Sequence, residues 1–271
     1  MSVLLIVCYG FLGALAGLSA GLFGVGGGVV IVPMLIVAFA IQGFPPEHIA
    51  HMAVATSLAC IVFSSASSGL AHYRRGSVRP LDVLLLGFGV AIGSYFGVRI
   101  AIAISGPLLQ LLFALFLFVV GLQMWFQFGP KQSAEKTPNR SHYPFAGAVV
   151  GAISVVFGIG GGTLTVPYLV SRGNSLKVAV GTSASLGLLI ALAGSFFFYS
   201  LHQVEGQLPA LTIGYIYVPA LVAIALVGLL FARWGAILAH RLRGDLLRKS
   251  FSIYLWVMSV VLLIKFMTYG G

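Results

Sequence analysis

Two runs of glycine are the residues in this sequence best suited to binding chemistry. They are Gly26, Gly27, Gly28, Gly160, Gly161 and Gly162. Each run ends where an apolar helix is expected to begin, so the N–H groups of the first turn lack an acceptor within that helix. Such groups bind anions, both by their geometry and through the positive end of the helix dipole. The runs therefore predict an anion site. Close helix packing is the alternative, and it explains Gly13, Gly17 and Gly21 better than it explains consecutive glycines.

Hydroxyl side chains at matching places in the sequence can complete such a site. They are Thr163, Thr165, Thr56, Ser57, Thr182 and Ser183. Thr163 and Thr165 follow the second glycine run, and a hydroxyl can donate a hydrogen bond to an anion. The alternative for these two is a hydrogen bond to the backbone of their own helix. The pairs Thr56-Ser57 and Thr182-Ser183 either line a polar path or pack helices together. We predict that all six contact the substrate.

The charged residues argue against other kinds of chemistry. The five acidic residues lie in loops or at segment ends, whereas cation carriers usually hold carboxylates within the membrane. Arg99 and Lys265 are expected to reach the membrane interface. His51 is the histidine that could titrate near neutral pH beside the proposed path, and an ordinary interfacial histidine is the alternative. The glycine runs lack the lysine of a phosphate-binding loop. We predict no enzyme activity, no metal and no cofactor.

The composition predicts that these residues sit on helices within a membrane. Of 271 residues, 59% are hydrophobic and only 7% are charged, against about 25% charged in a soluble domain. Several apolar stretches exceed the ~18 to 20 residues that span a bilayer. The net charge of +10 comes from short basic clusters between apolar segments, as in cytoplasmic loops, and does not indicate nucleic-acid binding. We predict an all-α integral membrane protein.

Internal repetition divides the chain into two halves. The stretch from Gly24 to Pro33 recurs from Gly158 to Pro167, and shorter matches follow in the same order. The apolar segments of the first half are 3–22, 28–41, 49–71, 81–104 and 107–128, and those of the second are 144–158, 163–171, 177–200, 210–232 and 248–268. We predict an N-terminal membrane repeat over 1–128, a cytoplasmic linker over 129–143 and a C-terminal repeat over 144–271.

The odd number of segments in each half predicts that the second repeat is inverted relative to the first. With loop 72–80 in the cytoplasm, regions 129–143, 172–177 and 233–249 fall there as well, and both termini are periplasmic. These regions hold thirteen of the fifteen Lys and Arg residues, namely Arg74, Arg75, Arg79, Lys131, Lys136, Arg140, Arg172, Lys177, Arg233, Arg241, Arg243, Arg248 and Lys249, as the positive-inside rule requires. Because segments 28–41 and 163–171 are shorter than the ~30 Å core at ~1.5 Å per residue, we expect the first two segments of each half to form a broken or re-entrant hairpin. The glycine runs are the hairpin tips and meet near the midplane.

The same residues resemble those of the sulfite exporter TauE/SafE family of membrane permeases. The resemblance covers nearly the whole chain and rests on the glycine run from Gly24 to Gly28 with Pro33, its copy from Gly158 to Pro167, the Ala-Thr-Ser and Gly-Thr-Ser triplets at 55–57 and 181–183, and Gly97 with Ala101. The resemblance implies a bacterial-type inner-membrane permease. It also implies that the permease moves sulfite, sulfonates or related sulfur-containing anions, usually outward.

These observations together predict a secondary transporter that alternates access around a site at the midplane. The alternative is a passive anion channel with the same glycine-lined constriction. The expected partners are a small anionic substrate and the lipid bilayer, without nucleic acid, and a homodimer is one possible assembly. Because apolar Val29 and Ile31 stand where the second half has threonines, whether both halves bind the substrate equally is left open.

Overall fold

The chain is a bundle of helices. A computed structural model describes residues 3–23, 27–126, 140–201, 208–239 and 244–269. The first half contains α1 (Val3–Phe23), α2 (Gly28–Ile41), α3 (Pro46–Arg74), α4 (Pro80–Ala103) and α5 (Gly106–Phe126). The second contains α6 (Tyr143–Val156), α7 (Gly162–Ser171), α8 (Leu176–Ser200), a hairpin of β1 (Thr212–Ile213) and β2 (Ile216–Tyr217), α9 (Val218–Ala239) and α10 (Gly244–Tyr269).

Among the described residues, five helices are long and apolar enough to cross a membrane. They are α3, α4, α5, α8 and the part of α10 over Arg248–Thr268. The all-α membrane class predicted from the composition is therefore confirmed.

The segment predicted over residues 210–232 is wrong at both ends. Residues 212–217 form an antiparallel hairpin, with Thr212 paired to Tyr217 and positive φ angles of 66° at Leu211 and 58° at Gly214. Helix α9 begins only at Val218 and runs to Ala239. It thus continues past position 233 into the region predicted as loop 233–249.

The first two helices of each half fold back on one another. At the far end of α2, the Gln42 side-chain amide donates a hydrogen bond of 2.6 Å to the Tyr9 hydroxyl near the start of α1. In the second half, the rings of Tyr143, which begins α6, and Tyr168, near the end of α7, lie 6.0 Å apart. Each pair is therefore a helical hairpin, with Gly27 just before α2 and Gly161 just before α7. A re-entrant path through the membrane stays a prediction.

The hairpins pack across the two halves, and glycine makes this close approach feasible. Helix α1 packs on α9, and α6 packs on α4, while α3 packs on α8 and α5 on α10. A Cβ atom at Gly17 would overlap the Gly228 carbonyl, and one at Gly147 would overlap the Leu86 carbonyl. The packing interpretation of Gly13 and Gly17 therefore holds, since a Cβ at Gly13 would lie 2.9 Å from Ile224.

Helix α4 offers a test of this packing. A Cβ atom at Gly93 would overlap the Ala148 carbonyl of α6, whereas one at Gly10 would lie 3.7 Å from the nearest atom, a methyl of Val227. We expect Gly93→Ala to cost about 1 to 3 kcal/mol through overpacking and Gly10→Ala to be neutral or stabilising by up to about 1 kcal/mol. Thermal melting of the purified variants in detergent measures the difference. Equal melting temperatures would show that α4 and α6 are not this close.

Candidate functional site

Each hairpin tip ends in a glycine with a left-handed backbone. Gly27 precedes α2 with φ 74°, and Gly161 precedes α7 with φ 51°. This conformation costs other residues roughly 1 to 2 kcal/mol, so both positions favour glycine. Gly26, also predicted to bind the anion, lies outside the described residues.

The glycine caps leave N–H groups at the two helix starts. The first bonds of α2 run from the N–H groups of Val30 and Ile31 to the Gly27 carbonyl, each at 2.9 Å. In α7 the N–H groups of Leu164 and Thr165 donate to the Gly161 carbonyl. The amides before these donors have no acceptor within their helix. In the second tip the Gly162 N–H donates to the Gly160 carbonyl, which directs that amide back into the turn.

The two tips are in contact with each other. A Cβ atom at Gly28 would lie 2.5 Å from the Gly158 carbonyl oxygen and 2.9 Å from Ile159. The Ser57 hydroxyl of α3 donates a hydrogen bond of 2.9 Å to the same Gly158 oxygen. Ser57 thus fixes the second tip against the core helix of the first half. Sequence reasoning placed the two tips together, and the structure shows the contact.

Three of the predicted site hydroxyls are buried without a partner among the described residues, and all three belong to the second half. They are the Oγ1 atoms of Thr163 and Thr165 and the Oγ of Ser183. Thr165 is 1% exposed, and its Oγ1 lies 3.3 Å from the point that a Cβ at Gly161 would occupy. This hydroxyl therefore points at the tip of its own hairpin. The matching residues of the first half, Val29 and Ile31, are buried and apolar, so the two tips differ in polarity.

The hydroxyls of Thr56 and Thr182 each accept a hydrogen bond from a backbone N–H group just before a helix. Thr56 accepts a hydrogen bond of 3.0 Å from the Tyr217 N–H, just before α9. Thr182 accepts one of 3.2 Å from the Arg79 N–H, just before α4. The two contacts join equivalent places in the two halves, and neither was apparent from the sequence. A substrate-binding role for Thr56 and Thr182 stays a prediction.

The space beside the tips is small. A cavity of about 20 Å³ borders Gly27 and is lined also by Ile31, Cys60 and Ser64, which is room for about one water molecule. At the second tip, a Cβ at Gly161 would lie 2.7 Å from the Ile190 side chain. A larger cavity of about 230 Å³ lies between the ends of α2 and α10 and the starts of α3 and α5, with Lys265 and Gln110 in its lining. It includes none of the predicted site residues.

Two polar contacts outside the tips were not predicted. Asp82, in the first turn of α4, is fully buried, and its Oδ1 accepts a hydrogen bond of 2.8 Å from Arg140. His51 is 5% exposed, with both ring nitrogens near backbone carbonyls. A lone acid at the start of an apolar helix was the available signal for the first contact. Among the described residues, no group of three His, Cys, Asp or Glu side chains could hold a metal ion.

Comparison with known proteins identifies relatives along the whole chain. The model of the family described as Sulfite exporter TauE/SafE matches residues 9–262. A probable membrane transporter protein of Haemophilus influenzae is 31% identical over 269 residues, covering 98% of this chain and 100% of the relative. Another, from Methanocaldococcus jannaschii, is 26% identical over 253 residues and covers 93% of each chain. A third, from Bacillus subtilis, is 29% identical over 230 residues, or 78% of this chain and 81% of the relative. No solved structure gives a significant match.

Proposed function

Because the chain belongs to the sulfite exporter TauE/SafE family, we propose that it is a secondary transporter that exports a small sulfur-containing anion such as sulfite or an organosulfonate. The relatives are membrane transporters by name, which supports transport and not catalysis. The contact of the α2 start with residues 158 and 159 of the second tip, just before the glycine-capped start of α7, carries the proposal, since unpaired N–H groups at helix N-termini attract an anion.

The two repeats run in opposite directions through the membrane. In support, the start of α4 lies beside the open end of the second hairpin, where Asp82 meets Arg140. The end of α4 lies beside His51, whose ring is 5.4 Å from that of Tyr215. Through the short β-hairpin this end adjoins the open end of the first hairpin, where the Tyr217 and Tyr9 rings are 6.1 Å apart. The hairpins therefore open toward opposite ends of a helix of 24 residues, about 36 Å long at 1.5 Å per residue.

The protein works by alternating access, and the described state is closed. The cavity of about 20 Å³ at Gly27 holds about one water molecule and excludes a sulfur oxyanion. Parting the tips on one side and then the other would admit and release the anion, as in other transporters built from inverted repeats. The protein is located in the inner membrane, with both termini on the periplasmic side. This orientation places thirteen of the fifteen basic residues in the cytoplasm, as the positive-inside rule requires.

Two measurements test this function. Thermal melting of the purified protein is recorded with sulfite, thiosulfate, sulfoacetate, taurine and sulfate, and with chloride as the control. A ligand at 100 times its Kd stabilises the native state by about 2.7 kcal/mol, and no stabilisation by any sulfur anion would argue against the site. Counterflow in proteoliposomes then separates the mechanisms, because acceleration by unlabelled anion on the far side indicates a carrier. Its absence, together with large single-channel currents, would identify the passive channel.

Thr165 distinguishes a binding role from a structural one. Its buried hydroxyl has no partner among the described residues, so Thr165→Val removes an unsatisfied polar group and should leave the stability of the anion-free protein unchanged or higher. The same change removes a hydrogen bond to the anion worth about 1.5 to 3 kcal/mol, so the Kd should rise about tenfold or more. Isothermal calorimetry with the stabilising anion measures the Kd of the Thr165→Val variant and of the unmodified protein.

The result is compared with Thr268→Val, which alters an exposed hydroxyl that donates to the Ile264 carbonyl near the end of α10. That variant should bind the anion like the unmodified protein. An unchanged Kd in Thr165→Val would remove Thr165 from the binding site.

A further inference from the structure

The ring of His51 lies among three backbone carbonyl groups. Its Nε2 is 2.9 Å from the Ala101 carbonyl oxygen and 3.1 Å from that of Ile104, and its Nδ1 is 3.2 Å from that of Glu47. A neutral imidazole has one N–H group and one bare nitrogen. In either tautomer the bare nitrogen would face a carbonyl lone pair. With a proton on both nitrogens, every contact becomes a hydrogen bond.

The surroundings add further support for a bound proton. Ala101 and Ile104 lie at the C-terminal end of α4, the negative end of the helix dipole, which favours a cation. The Tyr215 ring lies 5.4 Å from the His51 ring, and an aromatic face attracts a cation. Burial opposes the charge, since no carboxylate of the described residues accepts a hydrogen bond from the ring. These opposing effects suit a proton that binds and leaves, and not one held permanently.

Within the described part of the chain, few other ionisable groups lie near this histidine. Glu47 and His48 precede it on α3, where Glu47 is exposed and His48 also approaches the Tyr215 ring, at 6.2 Å. Burial raises the pKa of Tyr215, so its hydroxyl stays neutral. On α4 the charged residue nearest to Ala101, whose carbonyl contacts His51, is Arg99, and Arg99 is exposed. Helix α5 has no charged residue.

His51 is joined to the tips through one helix. Three residues further along α3, the backbone of Val54 would be 2.9 Å from a Cβ at Gly158. Two turns from His51, Ser57 donates to the Gly158 carbonyl. The doubly protonated ring donates to the end of α4 through Nε2 and to its own helix through Nδ1. Loss of one proton leaves a bare nitrogen facing either the α4 carbonyls or the Glu47 carbonyl of α3. The protonation state therefore affects the helix on which the second tip rests.

We propose that His51 binds the proton to which anion movement is coupled. This inference rests on the proposed function, because it names the coupling ion of that transport. The proton binds at the bare ring nitrogen when the two helix ends are together and leaves when they separate. One proton binds and leaves in each transport cycle.

The test separates coupling from transport. Proteoliposomes containing the full chain are loaded with the pH indicator pyranine, and labelled thiosulfate and sulfoacetate are the probes because both remain ionised between about pH 6 and about pH 8. In the unmodified protein we expect counterflow, and, when an anion gradient drives net movement of the anion, a matching change of internal pH. His51→Gln should keep the counterflow and lose the pH change. His48→Gln, which alters the neighbouring histidine beside the same Tyr215 ring, should keep both.

The possible results separate the coupling role of His51 from the transport function. Persistent proton movement in His51→Gln would overturn the coupling role while leaving the transport function in place. Absence of counterflow in the unmodified protein would instead contradict the proposed function. In that case, or if His51→Gln fails to fold, nitrogen-15 NMR of the histidine rings in the unmodified protein decides whether His51 binds a proton. A ring that stays neutral down to about pH 5 would overturn the proposal, and one that titrates above it would support the site.

Discussion

Anion transport is expected to stop when either tip glycine is replaced by leucine, although both variants still insert into the membrane. At Gly161 the new side chain would begin 2.7 Å from the Ile190 side chain and extend into the space beside the Thr165 hydroxyl. At Gly27 it would fill a cavity of about 20 Å³ and block the parting of the tips. Counterflow of labelled anion in proteoliposomes measures the loss, and membrane extraction followed by size-exclusion chromatography measures insertion.

Two other glycines provide matched controls for backbone strain. Gly43 and Gly76 have φ angles of 73° and 66°, close to the 74° of Gly27, and a Cβ at either position would meet no atom within 4 Å. Leucine at these positions carries the same cost of about 1 to 2 kcal/mol without entering the site. We expect near-normal flux in Gly43→Leu and Gly76→Leu. Normal flux in both tip variants, or an equal loss in the controls, would contradict the role of the tips.

The sequence predicted the tips because their signal is local. A glycine run placed before an apolar helix identifies a cap, and Gly27 and Gly161 are indeed the caps of α2 and α7. The short β-hairpin was missed because Thr212 to Tyr217 is as apolar and aromatic as a helix start. The chain turns there through the positive φ angles of Leu211 and Gly214, and a leucine in the sequence does not indicate a positive φ.

The partners of the polar side chains could not be predicted, because they come from distant parts of the chain. Thr56 accepts from Tyr217, which is 161 residues away, and Ser57 donates to Gly158, which is 101 residues away. Where the helices cross decides which hydroxyl accepts a hydrogen bond near a helix start and which one lies beside a tip. Composition and spacing therefore gave a set of candidates, and the packing separates Thr165 from Thr56 and Thr182.

The contact between Asp82 and Arg140 is expected to have the largest effect on stability. Asp82 is fully buried, and its second oxygen has no partner among the described residues, whereas the Arg140 side chain is 38% exposed. Arg140→Gln leaves a buried carboxylate without its cation. Breaking a buried pair costs about 3 to 5 kcal/mol, and partial exposure of Arg140 favours the low end. At about 2 to 4 °C per kcal/mol, the melting temperature should fall by about 6 to 12 °C.

The two partners are expected to respond unequally, because the charge left behind differs in burial. Asp82→Asn leaves a guanidinium that already contacts water, so it should cost only about 1 kcal/mol. The double variant should therefore melt near Asp82→Asn and well above Arg140→Gln, since neutralising Asp82 removes the stranded charge. Arg75→Gln, an exposed arginine just after α3, should change stability by less than about 0.5 kcal/mol. A double variant that melts as low as Arg140→Gln would show that Arg140 stabilises the start of α6 through packing, and not by holding the charge of Asp82.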